Sequence, residues 1–191
     1  MKYPSFVNIP GIKSLGTNGY RFSLYIPFNN NGRELCVILK NPSTASTLSA
    51  DSTICKVCNV AHKNGYSSVT VYNLFPYRST LSSGVISFYT SKYYNNIMQV
   101  NLNIILAGCI GKDTVFAWGT NTISRRKIYA AMYNNAITSI TSIITTNTFY
   151  VRKCKCIYNQ NVPCRNNNVH HLVRYPLHGL RWHNNSNLKR Y

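Results

Sequence analysis

A chain of 191 residues with 45% hydrophobic side chains can bury one sizeable core, which excludes a disordered basic tail. Its charge is one-sided: 21 lysines and arginines face 3 acids, Glu34, Asp51 and Asp113, for a formal net charge of +18. A field of that sign favours polyanions, so nucleic acid is the expected partner ahead of a membrane surface or an acidic protein, and so few carboxylates make a two-metal nuclease hard to build.

The length is that of one domain, 1–191. Seven cysteines, an odd number partly inside core-like runs, point to reduced thiols. With no leading apolar segment and no run long enough for a bilayer, the reading is a cytoplasmic protein with no membrane partner, expected to be a monomer.

Residues 1–19 carry Pro4, Pro10, Gly11, Gly16 and Gly19 and read as a loop-rich entry. Tyr20, Phe22, Leu24 and Ile26 then alternate with polar positions, as in a half-buried strand. Asn29-Asn30-Asn31-Gly32 is a turn signal, so residues 20–39 are expected to form a hairpin. Its second arm, Leu35-Cys36-Val37-Ile38-Leu39, is apolar throughout and predicts a strand buried on both faces. The run stops at Asn41-Pro42, because proline lacks the donor a ladder needs and biases the residue before it toward extended backbone. Ser43 and Thr44 follow with hydroxyl groups.

Ser49 or Asp51 can cap a helix over 52–63 that ends at Asn64-Gly65. Residues 68–72 are β-branched and strand-like, and lead into Asn73-Leu74-Phe75-Pro76-Tyr77-Arg78. Residues 80–90 read as irregular. A helix is expected over 92–109, with Ile97, Val100, Ile104, Ile105 and Cys109 on one stripe. Residues 114–118 predict a third core strand, stopped by Gly119. The stretch 124–134, with Arg125 and Arg126, reads as a basic helix, and a fourth strand is expected near 143–150.

This alternation predicts an α/β fold: a three-layer sandwich around a central, mostly parallel four-stranded sheet, with an N-terminal hairpin. In such sheets ligands bind at the carboxyl ends of strands. Asn41-Pro42, the Asn73–Phe75–Arg78 cluster and Trp118-Gly119 all fall just past strand ends, so one shared site is expected there. The segment 152–191 interleaves basic residues, Arg174 and Arg181 among them, with Tyr158, Tyr175 and Trp182, and contains no acid. That pattern suits phosphate contact and base stacking, or a solvated Asn-rich tail. Cys154, Cys156, Cys164, His170 and His171 offer zinc-ligand chemistry at a non-standard spacing, and Cys55-x-x-Cys58 reads as a helix face turned to the core. No phosphate-binding loop or dinucleotide fingerprint is present, and no cofactor or metal is expected.

In this order the motifs resemble an uncharacterised bacterial and phage domain family. The matching residues are Leu39, Asn41, Pro42, Ser43, Thr44 and Ala45, then Asp51 and Thr53, Asn73-Leu74-Phe75 with Tyr77, Arg78 and Thr80, Ala117-Trp118-Gly119, and finally Arg174, Pro176 and Leu177. Lys40 departs from that pattern, which is apolar there. Tyr175 and His178 exchange the positions where histidine and tyrosine are usual. The family in turn is distantly similar to the uracil-DNA glycosylase superfamily. That resemblance implies that Asn41 falls on the water-positioning position, Phe75 on the aromatic that stacks the extruded base, and the loop near Pro176 on the leaving-base contact.

A glycosylase extrudes a base, places a water beneath the sugar and stabilises the departing base. Asn41 can orient a water, and Asp51 can act as general base or merely cap its helix. His178 or Arg174 can face negative charge on the base. Pro42, Ser43, Asn73, Phe75, Arg78, Trp118 and Tyr175 are the candidate substrate contacts, with Phe75 and Trp118 equally readable as core. Arg125, Arg126, Arg174 and Arg181 are candidate DNA contacts. The expected function is a DNA glycosylase acting on a modified base, such as glucosylated hydroxymethylcytosine in phage DNA, as antiviral defence. The alternative is a non-catalytic module for modified or single-stranded nucleic acid.

Overall fold

The computed structural model describes residues 1–17, 19–42, 44–80, 82–119, 127–142, 144, 148–150 and 189–190. After a 3-10 turn at Ile9–Gly11 come strands β1 (Lys13–Thr17), β2 (Tyr20–Pro27) and β3 (Arg33–Leu39), then helix α1 (Ser52–Lys63) and β4 (Tyr66–Asn73). Helices α2 (Ser82–Tyr89) and α3 (Tyr94–Cys109) lead to β5 (Asp113–Phe116). Helix α4 (Lys127–Thr141) and strands β6 (Thr148–Tyr150) and β7 (Lys189–Arg190) complete the described chain. No helix among the described residues is long and apolar enough to cross a membrane.

The strands form one sheet in the order β1-β2-β4-β3-β5-β6-β7. The four predicted core strands, β4, β3, β5 and β6, are mutually parallel. The sheet as a whole is mixed, because β1 against β2, β2 against β4 and β6 against β7 pair antiparallel. The expectation of a mostly parallel four-stranded sheet is therefore corrected to a parallel block with antiparallel flanks. The expected 20–39 hairpin is corrected as well. β2 pairs with β4, Leu24 opposite Val71, and not with β3. β3 is buried on both faces from Leu35 to Leu39 and takes a parallel neighbour on each side, β4 and β5, which leaves the half-buried β2 to seat outside β4. The Asn-rich segment after β2 passes the start of β4, where Asn30 Nδ2 donates to the Tyr66 carbonyl at 3.2 Å.

Two apolar layers cover the sheet. Leu35, Val37 and Leu39 face α1 through Ile54, Val57, Cys58 and Ala61. Cys36 and Ile38, one residue out of phase, face the opposite layer with Ile105, Tyr133 and Ile137. Each fully buried Leu, Ile or Val contributes about 1.5–3 kcal/mol, so a one-residue slip of β3 would exchange two complete faces. Helix α1 begins where expected: Asp51 Oδ1 accepts from the Ile54 amide at 2.9 Å. It ends at Asn64 before Gly65, whose φ of +80° is left-handed.

Three further expectations change. Residues 13–17 are a strand within the supposed loop, exposed along its whole length as the sheet edge. Residues 82–89 are helical rather than irregular, with Val85 and Phe88 buried one turn apart. In α3 the inward stripe is Asn101, Ile105 and Cys109, while Val100 is 46% exposed. The helix is rotated because Asn101 has backbone carbonyls to satisfy. Its neighbour Gly108 packs so tightly on β4 that a Cβ there would collide with the Tyr72 hydroxyl.

Candidate functional site

In the parallel block the first strand, β3, lies between the second, β4, and the third, β5. Strand order therefore reverses between β3 and β5. The chain leaves β3 for α1 on one face and returns to β5 through α3 on the other, which parts the loops at their carboxyl ends. The ladder continues past the strands and knits the three ends together. Leu74 and Phe75 donate backbone N–H groups to the carbonyls of Leu39 and Lys40 at 2.8 and 2.9 Å, and Ala117 donates to Ile38 at 2.9 Å. Asn41-Pro42, Asn73-Leu74-Phe75 and Trp118-Gly119 are thus brought to one rim.

Asn41 is half-buried at that rim. Its Nδ2 donates to the Ser79 carbonyl and, at 3.3 Å, to the Pro42 carbonyl, while the Ser79 amide donates to Pro42 at 3.1 Å. The amide group is held by its donor side, so its carbonyl oxygen is the atom it can offer to a water or ligand. Buried Pro42 stiffens the same corner.

Asn73 is fully buried. Its Nδ2 reaches the Arg21 carbonyl at 3.5 Å and its Oδ1 has no partner among the described residues. Asn101 of α3 clamps the same strand end, donating to the carbonyls of Asn73 and Leu74 at 2.9 and 3.3 Å. Phe75 and Trp118 are 0% exposed, packed within the layer that holds α3 and α4. Arg78 is half-buried, its amide donating to Gly19 at 2.8 Å. Asp51 is half-buried and serves as the α1 cap. Of the other candidates, Ser43, Arg125, Arg126, Arg174, Tyr175, His178 and Arg181 lie outside the described residues, as do Cys154, Cys156, Cys164, His170 and His171. Among the described residues no group of three or more His, Cys, Asp or Glu is placed to hold a metal ion.

Three residues to which sequence reasoning gave no role complete the rim. Arg21 of β2 is 1% exposed and donates from Nη1 to the Ala45 carbonyl at 2.5 Å, anchoring the loop beyond Pro42. Burial, and next the like charge of Arg78, bring its guanidinium down to about 10, with Asp51 and Tyr3 acting in the opposite sense. Lys40, 7% exposed, extends β3 by one residue and lays Nζ over the ring of Tyr133 at 5.3 Å. Burial lowers its ammonium to about 8. Tyr133 of α4 donates its hydroxyl to the Gly119 carbonyl at 2.6 Å, and its ring centroid lies 6.3 Å from that of Phe75. The signal for Lys40 was present, as a charge directly after five apolar residues. Arg21 looked like an ordinary outward position of an alternating strand.

The acids are divided between the two ends of the sheet. Glu34 pairs with Lys112 at 2.9 Å and Asp113 with Arg33 at 2.8 Å, where β3 and β5 begin. The opposite end has Arg21, Lys40 and Arg78 with Asp51, a net positive balance in which Arg21 and Lys40 are buried. A separate cavity of about 450 Å³ lies between α3 and α4 and is lined by uncharged residues including Leu74, Tyr94, Met98, Asn101, Asn135 and Ser139.

No curated protein and no solved structure matches this chain. The profile of one family, described as Protein of unknown function (DUF1643), matches residues 21–155, from Arg21 at the start of the rim through the whole parallel block. The match covers well over half of the sequence, and the chain belongs to the DUF1643 family.

Proposed function

We propose that this protein is a DNA glycosylase that extrudes a modified base and hydrolyses its N-glycosidic bond, leaving an abasic site. The observation that carries the reading is the meeting of three strand ends at the reversal of strand order, with Asn41 held there by Ser79 and Pro42 on a positive rim. In this reading Asn41 orients the attacking water, and Asn73 and Phe75 form the floor against which the base is held. Arg78 meets the flanking phosphate. Asp51 holds the helix that starts beside the loop and is the one carboxylate at this rim. His178 and Tyr175 are assigned to the departing base, and Arg125, Arg126, Arg174 and Arg181 to the DNA backbone. The parallel block is read as that of the uracil-DNA glycosylase superfamily, acting in the cytoplasm on invading phage DNA, with glucosylated hydroxymethylcytosine as the proposed base.

Incubation with unmodified, uracil-containing and glucosylated phage DNA, followed by labelling of abasic aldehydes, tests this. Release from the glucosylated DNA is expected, and no release from any of the three sinks the enzymatic reading. Asn41→Ala is expected to abolish release and leave DNA binding nearly intact.

A second reading, a non-catalytic module for modified or single-stranded nucleic acid, is favoured by the complete burial of Phe75 and Trp118 and by the capping role of Asp51. It predicts salt-dependent binding with no base chemistry.

A further inference from the structure

We infer that the cavity between α3 and α4 binds a small, uncharged heteroaromatic molecule of the nucleobase kind, at a site apart from the rim. The inference goes beyond the glycosylase reading and does not rest on it, since that reading holds its base against Asn73 and Phe75.

The cavity follows from how the two helices divide their faces. Side chains three and four residues apart are neighbours on a helix surface. On α3 the pair Asn95 and Gln99 is exposed, and the pair beside it, Met98 and Leu102, is half-buried. On α4 Asn135 and Ser139 are exposed, while Ala136 and Ile140 are buried. Each helix thus gives an outer polar row and an inner apolar row. The space between them, about 450 Å³, opens to solvent along the outer rows and is of the size of small-molecule sites. Leu74 lies at its buried end, and Tyr89 and Tyr94 add two rings to the wall, their centroids 4.8 Å apart.

This lining selects a chemistry. The chain has a formal net charge of +18, yet among the described residues no lysine, arginine, histidine or acid lines the cavity. Burial, and next the neighbouring Tyr89, push the Tyr94 hydroxyl up to about 12, so it too stays neutral. A phosphate or carboxylate would lose its water here without a counter-charge, and a sugar would press hydroxyls against the inner rows. A flat ring with apolar faces and an edge of donors and acceptors fits both rows at once. Its faces lie on the inner rows, and its edge meets the outer amides as asparagine and glutamine meet base edges elsewhere. Gln99 Nε2 donates to Asn103 at 3.1 Å, which turns the Gln99 carbonyl oxygen into the atom it offers a ligand. Asn101 points the same way. It lines the cavity at 1% exposure, its Nδ2 is taken up by the carbonyls of Asn73 and Leu74, and its Oδ1 has no partner among the described residues. A ring N–H is the donor which that buried oxygen lacks.

The test titrates the isotope-labelled full chain with free cytosine, uracil and adenine and follows the backbone amide resonances. The expected result is a saturable shift of α3 and α4 amides with at least one base, and no such shift with glucose, cyclohexanol or inorganic phosphate. Ser139→Trp fills the mouth from an exposed position and is expected to abolish the shift while leaving the rest of the amide pattern in place. Asn135→Ala, also at an exposed position, is expected to weaken binding. No saturable shift with any of the three bases overturns the inference. So do shifts confined to Asn41, Phe75 and Gly119, which would seat the base at the rim, and cavity shifts produced equally by glucose or cyclohexanol. The wild-type titration is decisive even where a variant fails to fold. Because no DNA is present, base release from DNA and base binding in this cavity stand or fall separately.

Discussion

Arg21, on the second strand, holds the carbonyl oxygen of Ala45 in the loop after the third strand at 2.5 Å, although β4 lies between the two strands. The Asn-Pro corner is therefore anchored from the far side of its neighbour. Arg21→Ala leaves that buried carbonyl without its donor and opens a void, with an expected loss on the order of 1–3 kcal/mol for the orphaned group alone. Urea unfolding should show a lower midpoint at unchanged slope, and an unchanged midpoint would remove the anchoring role.

Asp51 can be separated into its two candidate roles. Removing the cap with Asp51→Ala is expected to cost about 0.5–2 kcal/mol, and Asp51→Ser, a good cap without a carboxylate, should restore most of it. If base release returns with Asp51→Ser, the residue acts through the helix start. If stability returns and release does not, the carboxylate itself takes part.

Lys40 predicts a specific dependence on pH. Its folded value, about 8, lies below the ordinary lysine value of 10.5, so the unfolded chain binds more protons between these limits. Stability conferred by this site therefore rises as pH increases through that window. Wild type should gain on Lys40→Met between pH 8 and 10, read as converging or crossing urea midpoints. Parallel midpoints over that range would show that burial does not depress the lysine.

Arg78 is assigned to a phosphate rather than to a base edge. Arg78→Ala should weaken DNA binding similarly across sequences and reduce the slope of log affinity against log salt by about 1. A loss confined to one base identity, with the slope unchanged, would move Arg78 to base recognition.

Much of the fold was legible because its signals are local. Residues 35–39 are apolar on both faces, Val115-Phe116-Ala117-Trp118 is an unbroken apolar run, Asp51 and Asn64-Gly65 bracket α1, and the ends of β3, β4 and β5 are marked by Asn-Pro, Asn-Leu-Phe and Trp-Gly. What was not legible depends on distant partners. The Asn-Gly turn after β2 suggested a hairpin, yet the neighbour of β2 is decided by β3 needing a strand on each side. Arg21 occupies a position that alternation alone would send to solvent, and only the loop at Ala45 explains its burial. Asn101 interrupts an apolar stripe because its partners, the carbonyls of Asn73 and Leu74, lie 27–28 residues earlier in the chain. Tyr133 carries no motif at all, and its contacts with Lys40, Phe75 and Gly119 exist only once α4 is docked.

The pairing of β2 with β4 also sets an order of assembly. The unit β3-α1-β4 can close as soon as residue 73 is available, since its contacts are near in sequence. The ribbon of β1 and β2, although made first, has no edge to join until that unit exists. The Asn73–Arg21 contact that marks its arrival spans 52 residues. Long-range closure of this kind is slow compared with local pairing. The N-terminal ribbon therefore waits, and Arg21 reaches Ala45 only when it docks. The Asn-Pro corner takes its final shape late in folding, after the sheet that carries it.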